Sequence, residues 1–319
     1  MPPAVMPPKV VWPRSAVRSL RWLSRLLRLW QSPNRVFLST PPGHYYSPLP
    51  DTAEVARDAG RIFADPGPTL PGVSLEREAQ LALLGELGRF HADLPFGADP
   101  KPGLRYHYEN TYFPYADGVT LYCLMRHLRP ARVIEVGSGF SSAVMLDTDE
   151  LCLGGRTEFT FIDPYPERVE GLLKSTDRER CRVFAQRVQE VPLELFQTLR
   201  AGDWLFIDSS HVSKIGSDVN HLFLEVMPRL AAGVVVHVHD IFWPFEYPPE
   251  WLTQGRAWNE SYLLRGLLTG GMRYRVLLFT SYLERHAGAE WSAALPTATR
   301  RAAVNPHVGS ASLYLRVQT

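Results

Sequence analysis

From about Leu104 onward the chain alternates short β-rich runs with helical runs five times in succession, and no other feature limits its possible folds as strongly. Strands are expected at 132–136, 158–162, 181–185, 204–207 and 233–237, with helices near 141–151, 166–175, 191–199 and 217–230. Repeated strand–crossover–strand units build a parallel sheet with helices on its faces. Two further strands, 274–281 and 312–317, follow with no long helical pattern between them. The expected fold is α/β: a doubly wound seven-stranded sheet of five parallel strands plus a carboxy-terminal antiparallel hairpin.

A chain of 319 residues accommodates one large domain and an accessory segment. The expected division is a basic, proline-rich and amphipathic segment at 1–40, a helical cap at 41–103 and the main domain at 104–319. Residues 1–40 carry seven Lys/Arg and no Asp/Glu, which leaves 27 Lys/Arg against 33 Asp/Glu in the remainder. Nucleic-acid binding needs a basic patch on the folded domain, and none is legible there, so no nucleic-acid partner is expected. Arg14, Arg18, Arg21, Arg25 and Arg28 form one helical stripe opposite Ala16, Leu20, Leu23, Leu27 and Trp30. Contact with a membrane surface through residues 14–30 and packing on the protein's own core both account for that pattern. No apolar run approaches the ~18 residues of a spanning helix, and the start lacks a secretory signal. Cys123, Cys152 and Cys181 have neither metal-site nor disulfide spacing, which fits a reducing compartment. The expected location is cytoplasmic, with the inner membrane face as the alternative that the basic stripe leaves open.

The first strand runs into Val133-Ile-Glu-Val-Gly-Ser-Gly-Phe-Ser-Ser142, where Gly137 and Gly139 allow a sharp turn and close approach to a ligand. Asp163, just past the second strand, is placed to accept both hydroxyl protons of a ribose. The third glycine of the usual pattern is Ser141 here, a departure that weakens a dinucleotide reading. The fourth and fifth strands end in Phe206-Ile-Asp-Ser-Ser-His-Val-Ser-Lys214 and Val236-His-Val-His-Asp-Ile-Phe-Trp-Pro244.

Taken together and in order, these motifs resemble the class I S-adenosylmethionine (SAM)-dependent methyltransferases, in particular bacterial small-molecule enzymes of the broad methyltransferase-24 type. The resemblance covers the chain from about Tyr106 onward and implies a Rossmann-like sheet, SAM as cofactor and a small-molecule acceptor methylated on oxygen or nitrogen. It implies cofactor-binding roles for Glu135 at the head of the first motif, for Gly137, Ser138, Gly139 and Asp163, and for Val188 and Gln189 against the adenine. The pre-strand region folds over the cofactor in that family, which adds Asn110, Tyr112 and Asp117 as candidates.

Ligands of an open parallel sheet bind beyond the carboxyl ends of its strands, so Asp208, His211, His239 and Asp240 are expected in one crevice as catalytic residues. Methyl transfer needs alignment, worth roughly 7–11 kcal/mol in a near-attack geometry, and an unprotonated acceptor, for which a positioned base contributes about 10²–10⁴-fold. His211 or His239 can serve as base, or a divalent metal such as Mg²⁺ can acidify the acceptor. By resemblance to catechol-type O-methyltransferases, Asp208 and Asp240 match two Mg²⁺ ligands, while the third position is Ile241. His237, in mid-strand, is expected to be a hydrogen-bonded core histidine. The competing readings are an NAD(P)-dependent Rossmann oxidoreductase and a non-catalytic, membrane-peripheral scaffold.

Overall fold

The computed structural model describes residues 40–304, 306 and 309–319; the basic stripe at 14–30 lies outside them. The chain divides into two units, Met1–Val55 and Ala56–Thr319. The described part of the first is a proline-punctuated turn in which the Ser47 N–H donates to the His44 carbonyl at 2.7 Å and the Gly43 N–H to that of Leu49 at 3.2 Å. Asp51 then accepts the Ala53 N–H at 2.7 Å, opening the helix Thr52–Arg57.

The second unit is built on seven strands: β1 Arg132–Val136, β2 Glu158–Ile162, β3 Cys181–Phe184, β4 Trp204–Ile207, β5 Val235–Val238, β6 Tyr274–Phe279 and β7 Leu313–Val317. Their spatial order is β3-β2-β1-β4-β5-β7-β6. The first five pair in parallel, and β7 runs antiparallel between β5 and β6. Every residue of β4 and β5 is buried, because helices cover both faces of the sheet. The β-branched and aromatic runs of the sequence are therefore continuous rather than alternating.

Three helices frame this sheet near the ligand edge or brace it: α1 Arg77–Gly88, α2 Tyr115–Leu128 and α3 Phe140–Thr148. All of α2 from Tyr115 to Met125 is buried. A helix enclosed on every side shows no amphipathic period, so the aromatic stretch 108–117 gives no sign that it stops being loop at Pro114. Arg105 ties α3 to the segment before β3. Its guanidinium contacts Asp147 at 2.7 Å, Glu150 at 2.8 Å and Asp177 at 2.7 Å, and its own side chain is almost wholly buried.

The connection from β6 to β7 differs from expectation. It is helical through Thr280–His286 and Gly288–Ala294, followed by the short turn Pro296–Thr299. Each helix is only two turns long, with Ala287 between them, too short for a periodic signal. The helices Pro249–Thr253 and Glu260–Leu268 after β5 are likewise new. Among the described residues no helix is long and apolar enough to cross a membrane, and the three cysteines are free.

Candidate active site

Register sets the site. Val136 of β1 pairs with Ile162 of β2 and Ile207 of β4, and Ile207 pairs with Val238 of β5. The next residues, Gly137, Asp163, Asp208 and His239, therefore leave the sheet along one edge despite their separation in sequence. Strand order reverses between β1 and β4, which opens a crevice there.

Gly137 turns with φ +77°, and a Cβ on it would come within 1.8 Å of the Asp208 carbonyl oxygen. Gly139 is extended, and a Cβ there would meet only the Arg168 side chain, at 3.1 Å. Between them, the Ser138 N–H and Oγ both donate to Asp163 Oδ2 at 2.9 Å, and the Tyr165 N–H donates to Oδ1 at 2.9 Å. The Gly139 N–H donates to Ser142 Oγ at 2.9 Å. Below the turn, fully buried Glu135 accepts the hydroxyls of Ser141 and Ser142, each at 2.5 Å. Burial pushes its carboxyl up to about 8 in spite of those two bonds.

A cavity of about 750 Å³ opens above this turn. Gly137, Ser138, Gly139, Asp163, Val188 and Gln189 line it, and the Gln189 side chain donates to the Gly216 carbonyl at 2.9 Å. Glu135 does not reach it; it braces the turn from beneath. Asn110 does not reach it either, because its amide makes all four bonds inside its own loop, donating to the His107 and Phe113 carbonyls and accepting from the Tyr112 and Phe113 N–H groups. Asp117 opens onto a different space.

That space is a second cavity of about 730 Å³, lined by Asp117, His211, His239 and Asp240. Tyr112, Asp208, Ser209 and Ser210 line both cavities and form the wall between them. His211 Nε2 lies 3.3 Å from Asp208 and 3.6 Å from Asp240, while its Nδ1 is 2.8 Å from Glu260, a wholly buried residue at the start of Glu260–Leu268. The indole of Trp258 packs on the His211 ring at 4.3 Å. His211 and Asp240 both adopt left-handed backbone, with φ +60° and +56°, as do Glu76, Arg129 and Phe245 elsewhere in the chain.

Charge in this cluster is mutually enforced. Burial opposes a charge on His211, but hydrogen bonds to Asp208 and Glu260 raise its pKa well above the ordinary value. Burial likewise opposes the Asp208 carboxylate, yet the positive fields of His239 and His211 hold it below the usual range. Asp240, Asp117 and Glu260 are raised by burial. His239 is raised against its burial by Asp240, Asp208 and Asp117, and its Nε2 is 3.7 Å from Asp240.

The expectation for His237 needs correction. It is buried in mid-strand and stacked on Phe206 at 3.7 Å, but neither ring nitrogen has a protein hydrogen-bond partner among the described residues. Burial pushes its pKa well down, so the ring is neutral core. Sequence reasoning also passed over Glu260, Trp258, Arg256 and Arg168. A glutamate opening a helix reads as an ordinary complement to the helix dipole, and nothing local links Glu260 to His211, 49 residues away.

Residues 134–241 match the family described as Methyltransferase domain. An uncharacterized protein of Archaeoglobus fulgidus is 33% identical over 164 residues, covering 50% of this chain and 73% of that one. Among solved structures, the SAH-bound methyltransferase PaMTH1 of Podospora anserina is 16% identical over 86% of this chain and 99% of its own, with a TM-score of 0.37. The SAM complex of the O-methyltransferase TomG from Streptomyces achromogenes is 15% identical over 84% and 97%, with a TM-score of 0.39. Likenesses of that depth leave the chemistry to this chain's own residues.

Proposed function

This chain belongs to the class I SAM-dependent methyltransferases, and from that premise we propose that it methylates an oxygen or nitrogen of a small-molecule acceptor. The observation that carries the reading is the shared wall: the cavity over the glycine turn and the acid–histidine cavity meet at Asp208, Ser209 and Ser210. A donor held in the first and an acceptor held in the second are neighbours across it.

The turn suits SAM better than a dinucleotide. Of the turn's N–H groups that a pyrophosphate could use, those of Ser138 and Gly139 are already engaged by Asp163 and Ser142. Asp163, fixed by Ser138 and Tyr165, is left to receive ribose hydroxyls at the cavity wall.

When bound, SAM supplies a methyl group on a positively charged sulfur; the acceptor's lone pair bonds to that carbon, the carbon–sulfur electron pair returns to sulfur, and the acceptor's proton is left for the protein. Asp240, raised by burial and flanked by His239, is the group we assign to take that proton. His211, held by Asp208, Asp240 and Glu260, positions the two aspartates and offsets their charge. The same three residues fit a divalent ion. One ligand atom from each of Asp208, His211 and Asp240 lies within 4.8 Å of the others, and the Glu260 bond at Nδ1 orients Nε2 toward the aspartates. Two carboxylates and an imidazole suit Mn²⁺, Fe²⁺ or Zn²⁺ better than the all-oxygen sphere of Mg²⁺. Ile241, the third catechol-type position, is fully buried and offers no donor. A held ion would acidify the acceptor's hydroxyl.

The test is a screen of acceptors for S-adenosylhomocysteine (SAH) release, with and without EDTA, alongside calorimetric titration of SAM, SAH and NAD(H). Asp240→Ala is expected to lose turnover by about 10²-fold or more while SAM affinity stays near that of the parent. Unchanged turnover removes Asp240 from the chemistry, and binding of NAD(H) without SAM or SAH removes the methyltransferase reading. The cytoplasmic location and membrane contact through residues 14–30 belong to the same proposal; equal flotation on liposomes with and without residues 1–32 would remove the contact.

A further inference from the structure

The second cavity contains a cation that the proposed proton transfer does not use. Arg256 lines it, with its guanidinium carbon 4.5 Å over the Trp251 ring and 5.1 Å over that of Trp258. Trp251 is buried, and Trp258 is itself braced on His211. The two indoles meet edge to face at 5.0 Å, and the guanidinium carbon lies over both rings, which holds the cation in place. Among the described residues the Arg256 guanidinium has no hydrogen-bond or ion-pair partner, unlike those of Arg105, Arg126 and Arg180, which meet carboxylates. Contact with the rings satisfies none of the guanidinium N–H donors, whose fork matches carboxylate and phosphate oxygens. The cation also contributes to the field at Asp240, which lines the same cavity.

We infer that the acceptor is an anion: a carboxylate or phosphate group pairs with the Arg256 fork at the cavity rim, which aims the nucleophilic O–H or N–H of the same molecule at Asp240. The inference rests on the methyl-transfer reading and narrows its substrate class. Side-chain polarity supports this orientation. Asp117, Asp208 and Asp240 would repel an anionic end placed at the floor, whereas Arg256 would attract it at the exposed rim. Trp251 and Trp258 add apolar wall on either side, so ring-bearing acids are the fitting probes.

The experiment titrates the SAH-loaded full chain with benzoate, phenyl phosphate and benzamide, in the parent, Arg256→Gln and Arg256→Lys. At least one of the two anions is expected to bind about tenfold or more tightly than the neutral amide, and to lose that margin in Arg256→Gln, as removal of a charge-assisted pair requires. Arg256→Lys retains charge without the planar fork and is expected to fall between. SAH affinity should be equal in all three proteins, which also shows that the variants are folded. Preference for benzoate over phenyl phosphate, or the reverse, identifies the anionic group. Equal binding of anions and amide, binding of none of the three, or anion binding indifferent to Arg256→Gln overturns the inference while leaving methyl transfer standing. A parent chain that takes up no SAH removes both.

Discussion

Gly137 and Gly139 stand two residues apart in one motif but are glycines for different reasons. At Gly137 any side chain collides with the Asp208 backbone and must also adopt a positive φ, so the requirement comes from the fold itself. At Gly139 the neighbour is the movable end of Arg168, so the requirement comes from what occupies the cavity. Gly137→Ala is expected to lose about 2–4 kcal/mol of stability, whereas Gly139→Ala should melt near the parent and lose SAH affinity; urea unfolding and calorimetry separate the two. Glu135 gives a second residue-scale prediction. Its folded pKa, about 8, exceeds the ordinary 4.5, so its stabilising contribution is full below pH 4.5 and is lost as pH rises toward 8. Glu135→Gln removes that dependence, and the stability difference between variant and parent should shift in the variant's favour by a few kcal/mol from pH 4.5 to 8. A flat difference across that range refutes the buried, raised carboxyl. The sequence displayed the turn, Asp163 and the acid–histidine pairs because each sits at a strand end, where spacing is legible. Glu260, Arg256 and Trp258 come from the long excursion after β5 and reach the site only through tertiary packing.

At the scale of elements, the strands were readable to within a residue or two because a parallel sheet buried on both faces writes itself as unbroken apolar runs. An enclosed helix was readable only where another signal marked it, as the glycine turn marks the buried α3. The enclosed helix α2 and the two-turn helices between β6 and β7 lack the contrast that periodicity needs. Arg105 shows what holds such elements together where apolar packing is interrupted: one guanidinium joins Asp147 on α3 to Asp177, while Arg180 pairs with both Asp177 and Asp149. Arg105→Met leaves buried Asp147 without a cationic partner, while Asp177 keeps Arg180 and Glu150 keeps Lys174, and is expected to cost about 3–5 kcal/mol. Because the network lies away from both cavities, SAH affinity per folded molecule should change little. A loss below about 1 kcal/mol in a denaturant titration would mean that water already screens the cluster.

For the whole molecule, the decisive feature is β7. Leu315 pairs with Val236 of β5 and with Val276 of β6 and is wholly buried, so one residue couples both halves of the antiparallel edge. Leu315→Asp is expected to unfold the second unit by about 4 kcal/mol or more in one transition; a separate early melt of β6 with the rest intact would show that the edge is an independent layer. The placement of β7 also has a meaning in time. A ribosome delivers β5, then β6, then some thirty residues that include two short helices before the strand that belongs between them. Until it arrives, two apolar strand edges face an open slot, each a template for a foreign strand. Newly made chains should therefore depend on chaperones most in that interval.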